Sequence, residues 1–134
     1  MFLNELSRKT KESFWELANL LVAADNVVLD EEKVMLEQYR VEMQLDLDAG
    51  KNYRTSKEIV QDLAEETIST QRIIFLELLG LAYVDKCIAP EESKVLEELQ
   101  DAFAITSEKR MELMNCVEDV IQLYARIKNA ILEV

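Results

Sequence analysis

IIFLELLGLAYVDKCIAPEE, residues 73–92, reads as one helix, a short acidic hinge and the start of a second helix. The apolar run stops at Asp85, turns through Lys86, Cys87, Ile88 and Ala89, and restarts at Pro90-Glu91-Glu92. A helix that is apolar on almost every face must be surrounded by other helices, so the segment from Ser69 or Thr70 to Val84 is the expected core helix. Pro90 suits the first turn of the next helix, where its missing N–H would have no intrahelical partner. That fifth helix is expected to end near Phe103.

Working outward, Phe14, Leu17, Leu20 and Leu21 recur at helical spacing within Phe2 to Ala24, with Ser7 or Thr10 able to cap a break. Asp25 to Leu29 is a short connection, after which Asp30 reads as an N-cap with Glu31 and Glu32 in the first turn. Val34, Leu36, Tyr39, Val41, Met43 and Leu45 are the apolar members of this second helix. Gly50 and Asn52 mark residues 46–54 as a loop. Thr55 with Glu58 fits a capping box for a short third helix carrying Ile59, Val60 and Leu63. Thr106 or Ser107 caps a final helix in which Leu113, Val117, Val120, Ile121, Tyr124, Ile127 and Ile131 recur at steps of three and four. Its apolar length is expected to pack across the whole bundle, because tertiary burial is what normally stabilises a helix.

Sliding the chain by 60 residues superposes Leu21 on Leu81, Asp25 on Asp85, Glu31 on Glu91, Glu32 on Glu92, Leu36 on Leu96 and Glu37 on Glu97, with Val28 on Ile88. Both copies read as apolar helix, Asp, hinge, Glu, the mark of an internal duplication. An Asp at the last turn of a helix faces the negative end of the dipole and needs compensation, which an Asx turn supplies by accepting backbone N–H bonds. Val28 and Ile88 are then expected to point inward and let the two hinges lie side by side.

The same carboxylates raise the question of a cation. Setting Asp25 and Glu32, or Asp85 and Glu92, at the fifth and twelfth positions of an EF-hand loop leaves Leu21 and Ala23, or Leu81 and Tyr83, where two ligands belong. Asn26 and Lys86 replace the turn glycine, and the Lys86 ammonium opposes a bound metal. Both gaps argue against an ordinary EF-hand site. A pooled site remains, in which Asp25, Glu32, Asp85 and Glu92 offer hard oxygen ligands to a divalent cation. With no His in the chain, zinc lacks its preferred ligands.

Composition sets the outer bounds. The chain has 134 residues, 49% of them hydrophobic, with two glycines and one proline, which fits one helical domain large enough to bury a core without disulfide or metal staples. A net charge of -12 without clustered Lys and Arg argues against nucleic acid. The amino terminus lacks the apolar core of a signal peptide, and the run from Ile73 to Val84 is too short to span a bilayer, so a soluble cytoplasmic protein is expected. Cys87 and Cys116 form no Cys-x-x-Cys pair and read as buried free thiols. Without His a Ser or Cys nucleophile lacks its usual base, and no glycine-rich loop cradles phosphate, so no catalytic residue is assigned and no cofactor is expected beyond the cation.

The stretches LANLLVAADNVVLDEE and LLGLAYVDKCIAPEESKVLEEL, with the tail AFAITSEKRMEL, resemble the paired alanine-aspartate-glycine, aliphatic, glutamate signatures of the TerB-like proteins of bacterial tellurite resistance and stress response. The likeness runs from Phe14 to about Val120 and departs at Asn26 and Lys86, where glycine is usual. The resemblance implies an all-helical domain of two related halves, a metal-associated acidic surface and no established catalysis. Taken together, residues 1–134 are expected to form a single all-α bundle of about six helices, in halves of about 1–46 and 55–134. The expected function is a non-enzymatic interaction module with a protein partner in a stress-response assembly. The alternative is a divalent-cation binder or sensor using the hinge carboxylates.

Overall fold

A computed structural model describes residues 1–46 and 54–133. A 3-10 turn at Leu3–Glu5 precedes six helices: α1 (Arg8–Ala23), α2 (Asp30–Met43), α3 (Ser56–Leu63), α4 (Ile68–Ala82), α5 (Pro90–Ala102) and α6 (Ser107–Leu132). No strand occurs among the described residues, and the fold is all-α as the sequence predicts. The loop expected over 46–54 falls almost wholly outside the described residues.

Helix ends follow the capping chemistry of the sequence. Ser7, Thr55, Thr67 and Thr106 each accept a backbone N–H from three residues ahead, which pairs one of the four donors a helix start leaves open. Thr55 and Glu58 close the expected capping box, and Pro90 sits in the first turn of α5. Two boundaries differ from the sequence reading. The fourth helix starts at Ile68 behind Thr67, because that hydroxyl reaches the Thr70 N–H at 3.2 Å. The N-cap of α2 is Leu29 rather than Asp30, because Glu32 in the third helical position already takes the Leu29 N–H at 2.9 Å.

The 60-residue repeat is far more extensive in three dimensions than in residue identity. It carries Ser7 onto Thr67 as N-caps, α1 onto α4, α2 onto α5, and Gln44 onto Ala104 as left-handed residues closing α2 and α5, with φ of 56° and 50°. Leu45 donates to Arg40 and Ile105 to Gln100 across matching Schellman-type ends, and both side chains are buried. The matched segments are thus Ser7–Leu45 and Thr67–Ile105, with α3 and α6 outside the repeat.

Both leading helices of the repeat are central. α4 packs against α1, α2, α5 and α6, while α1 packs against α2, α3, α4 and α5. The fully buried Phe14, Leu17 and Leu21 of α1 meet Ile74, Phe75, Leu78 and Leu81 of α4 in one core. α1 is less apparent in the sequence because its buried face also carries Thr10, Ser13 and Glu16. Arg54 donates to Ser13 at 3.1 Å and pairs with Glu16, and Thr10 donates to Glu66 at 3.2 Å, which satisfies these polar groups locally.

Several side chains lie elsewhere than expected. Val34 and Val41 are exposed on the outer face of α2, as a helix needs only one apolar stripe to dock. Cys87 and Cys116 are exposed free thiols rather than buried ones, one in a hinge and one on the outer helix α6. α6 does not pack along its whole length: beyond Ile121 every described residue is exposed. At 26 residues it spans about 39 Å, against about 24 Å for the 16 residues of α1, so its last turns pass the end of the bundle.

Candidate functional site

The two hinges are built alike. The Asp25 carboxylate accepts the Val27 N–H at 3.0 Å, and the Asp85 carboxylate accepts the Cys87 N–H at 3.1 Å, so each Asp forms the expected Asx turn. The following residue is left-handed in both, with φ of 62° at Asn26 and 66° at Lys86. This conformation disfavours residues carrying a Cβ, and Asn tolerates it better than Lys. Each hinge then closes on a glutamate: Glu32 accepts the Leu29 N–H at 2.9 Å, and Glu92 accepts the Ala89 N–H at 3.2 Å.

Those glutamates are only 4% and 5% exposed, and they meet. Glu92 Oε2 is buried without a hydrogen-bond donor, within reach of the Glu32 carboxyl. Two carboxylates have no proton to offer one another, whereas one shared proton gives Oε2 a partner. Burial pushes the Glu92 carboxyl up to about 7, the Ala89 N–H opposes the rise, and the charges of Glu32 and Asp25 add to it. The starts of α2 and α5 therefore lie together, with Glu32 against Glu92 and the Asp25 charge within range of Glu92.

Asp85, the fourth of the sequence-selected carboxylates, is not among the charges that raise Glu92. It is exposed and holds its own turn. Among the described residues no group of three or more His, Cys, Asp or Glu is placed to hold a metal ion. The aliphatic positions also differ from expectation. Ile88 packs partly buried against the core, but Val28 is 40% exposed, because the glutamates rather than the aliphatics occupy the junction.

A second feature also involves α2. A mostly apolar groove of about 390 Å³ runs between α2, α4, α6 and the amino-terminal residues, lined by Met35, Leu76, Val84, Val117, Val120 and Ile121 among others. The amino group of Met1 closes it at one side, paired with Glu42 at 2.9 Å and Glu77 at 3.0 Å. From Val120 the groove wall continues into the free half of α6, where Tyr124 and Ile131 are 69% and 75% exposed. The sequence reading, which expected this stripe to pack across the whole bundle, missed the surface, because α6 outruns α1 and α4 by about three turns and only their packing shows where the cover ends.

No protein-family model matches the chain, and no curated protein or solved structure matches it either. The TerB-like likeness accordingly rests on the hinge signatures themselves.

Proposed function

We propose that the chain is a non-enzymatic helical interaction module of the TerB-like kind, acting in the cytoplasm within a stress-response assembly. The observation that supports this reading is the free half of α6, which presents Val120, Leu123, Tyr124, Ile127 and Ile131 to solvent beside an apolar groove. Monomeric proteins seldom leave such contiguous apolar surface uncovered, and helix-in-groove docking is the mode this shape serves. The duplicated hinge supports the family reading, and the absence of His supports a binding role over acid-base catalysis.

Co-purification from the native host with the wild-type chain and with Tyr124→Glu/Ile127→Glu tests it. A partner retained by the wild type and lost by a variant of unchanged melting temperature is the expected result. Equal recovery with both chains would overturn it.

A second reading, a divalent-cation binder, is favoured by one observation: the orphaned, buried Glu92 Oε2 beside the Glu32 carboxyl. A cation there would relieve the repulsion that a shared proton otherwise relieves. Calorimetric titration with calcium, magnesium and manganese decides it: binding abolished by Glu32→Gln/Glu92→Gln supports the reading, and no heat with no shift in melting temperature removes it.

A further inference from the structure

We propose that the free half of α6 pairs antiparallel with the same segment of a second copy of this chain, each tip lying in the other copy's apolar groove. The proposal rests on the reading as an interaction module and names a partner for it. Leu113, Val117, Val120, Tyr124, Ile127 and Ile131 follow one another at alternating steps of four and three, the spacing of a seam along which two helices pack. The first two are occupied within the bundle, where Val117 is buried and Leu113 packs against the core. The seam from Val120 onward is uncovered, and Val117 and Val120 also line the groove, so the two surfaces are one.

Charge selects both the partner and the direction. The chain carries -12 overall, yet between residues 120 and 132 its only charged side chains are Arg126 and Lys128, a local +2. Two such +2 segments repel one another side by side, so a second copy fits only where its acids oppose these bases. Just before this segment stand Glu118 and Asp119. Relative to the seam, Glu118 and Lys128 lie on one flank of the helix and Asp119 and Arg126 on the other.

In an antiparallel pair like flanks meet, which sets Lys128 on the side of the second copy's Glu118, while Arg126 and its Asp119, farther round from the seam, share the other flank and attract through solvent without direct contact. Symmetry repeats both pairings. Both centre the crossing near Leu123. In a parallel pair unlike flanks meet at the same level, which sets Arg126 beside Lys128 and Glu118 beside Asp119. Glu118 accepts the Tyr83 hydroxyl at 3.2 Å through one oxygen and keeps the other for Lys128.

Sedimentation of the full chain at about 100 micromolar, where a dimer of micromolar affinity is mostly formed, should give twice the monomer mass. Tyr124→Glu/Ile127→Glu should return the monomer with the melting temperature unchanged. Asp119→Arg and Arg126→Asp should each weaken the dimer a few-fold at low salt, and the two combined should restore it, because each swapped pair is again opposite in charge. In a Cys87→Ser/Cys116→Ser background, Leu123→Cys should cross-link to itself under mild oxidant and Ile131→Cys should not. A monomer at that concentration, a dimer indifferent to Tyr124→Glu/Ile127→Glu, no rescue by the double swap, or self-linking at 131 in place of 123 would each overturn the inference. A monomer that still captures a partner through Tyr124 and Ile127 would overturn this inference alone and leave the interaction-module reading standing.

Discussion

The first hinge, from Ala24 to Leu29, and the second, from Val84 to Ala89, share an Asx turn, a left-handed residue and a glutamate closing the next helix. They differ in what they face. Asp25 of the first hinge lies near the Glu92 carboxyl, whereas Asp85 is exposed to solvent. Val28 stays exposed where Ile88 packs on the core, and Asn26 takes the left-handed conformation that Lys86 must adopt at greater cost. Identical local chemistry thus yields one acid within the charge cluster and one outside it. The lesson is that a duplicated motif fixes a turn twice, while the packing of the copies decides which carboxylates interact.

The largest expected effect tests whether the copies carry equal structural weight. Leu21 and Leu81 are both fully buried, so Leu21→Ala and Leu81→Ala should each cost about 2–5 kcal/mol in chemical denaturation. Costs differing by more than about 2 kcal/mol would show that the repeat is no longer symmetric in energy, since the spread at fixed chemistry reflects how well a site collapses.

Next comes the acid pair. Glu92 holds a proton up to about 7 in the folded chain and only to its ordinary 4.5 when exposed. Between those values the folded state binds more protons, so stability present at the acidic end is lost as pH rises and stays lost above 7. Each pKa unit is about 1.4 kcal/mol, and allowing for solvent screening the loss is on the order of 1–3 kcal/mol. Glu92→Gln keeps an acceptor for Ala89 and offers Glu32 an N–H, so it should flatten this part of the melting-temperature profile and exceed the wild type in stability at pH 8. A mutant profile parallel to the wild type would separate the two glutamates.

Smaller effects sharpen the contrast between the turns. Lys86→Gly should stabilise by about 0.5–1 kcal/mol, because glycine removes the left-handed strain at the expense of some unfolded-state entropy, and Asn26→Gly should change stability by less. Thermal melts of the two variants check this, and equal shifts would mean that Asn26 is as strained as Lys86. Smallest in stability are Asp25→Ala and Asp85→Ala, each losing one exposed turn bond of about 0.5–1 kcal/mol. Only Asp25→Ala should also move the titration of Glu92, downward, as a like charge is withdrawn. A carbon-detected NMR titration of the Glu92 carboxyl distinguishes them.

Much of this was legible in the sequence because it is local. Thr55 with Glu58, Pro90 at a helix start, Thr106 before the last helix and Asp25 and Asp85 in their turns all act within a few residues of themselves, where spacing alone fixes geometry. The misplaced cap at Asp30 has the same origin, since Glu32 in the third helical position competes for the same helix end and wins by reaching back. Exposure was less legible. Cys87 and Cys116 have the composition of core residues, and only the packing of neighbours puts them outside.

The sequence by itself determined the six helices, most of their ends and the duplication, because hydrophobic period, capping and turn chemistry are short-range. Tertiary structure alone decided that Glu32 and Glu92 meet while Asp85 stands apart, that α1 is as central as α4, and that α6 outruns the bundle with its apolar seam uncovered. Each of these depends on which surfaces the helices bury against one another, and burial is a property of residues brought together from distant parts of the chain.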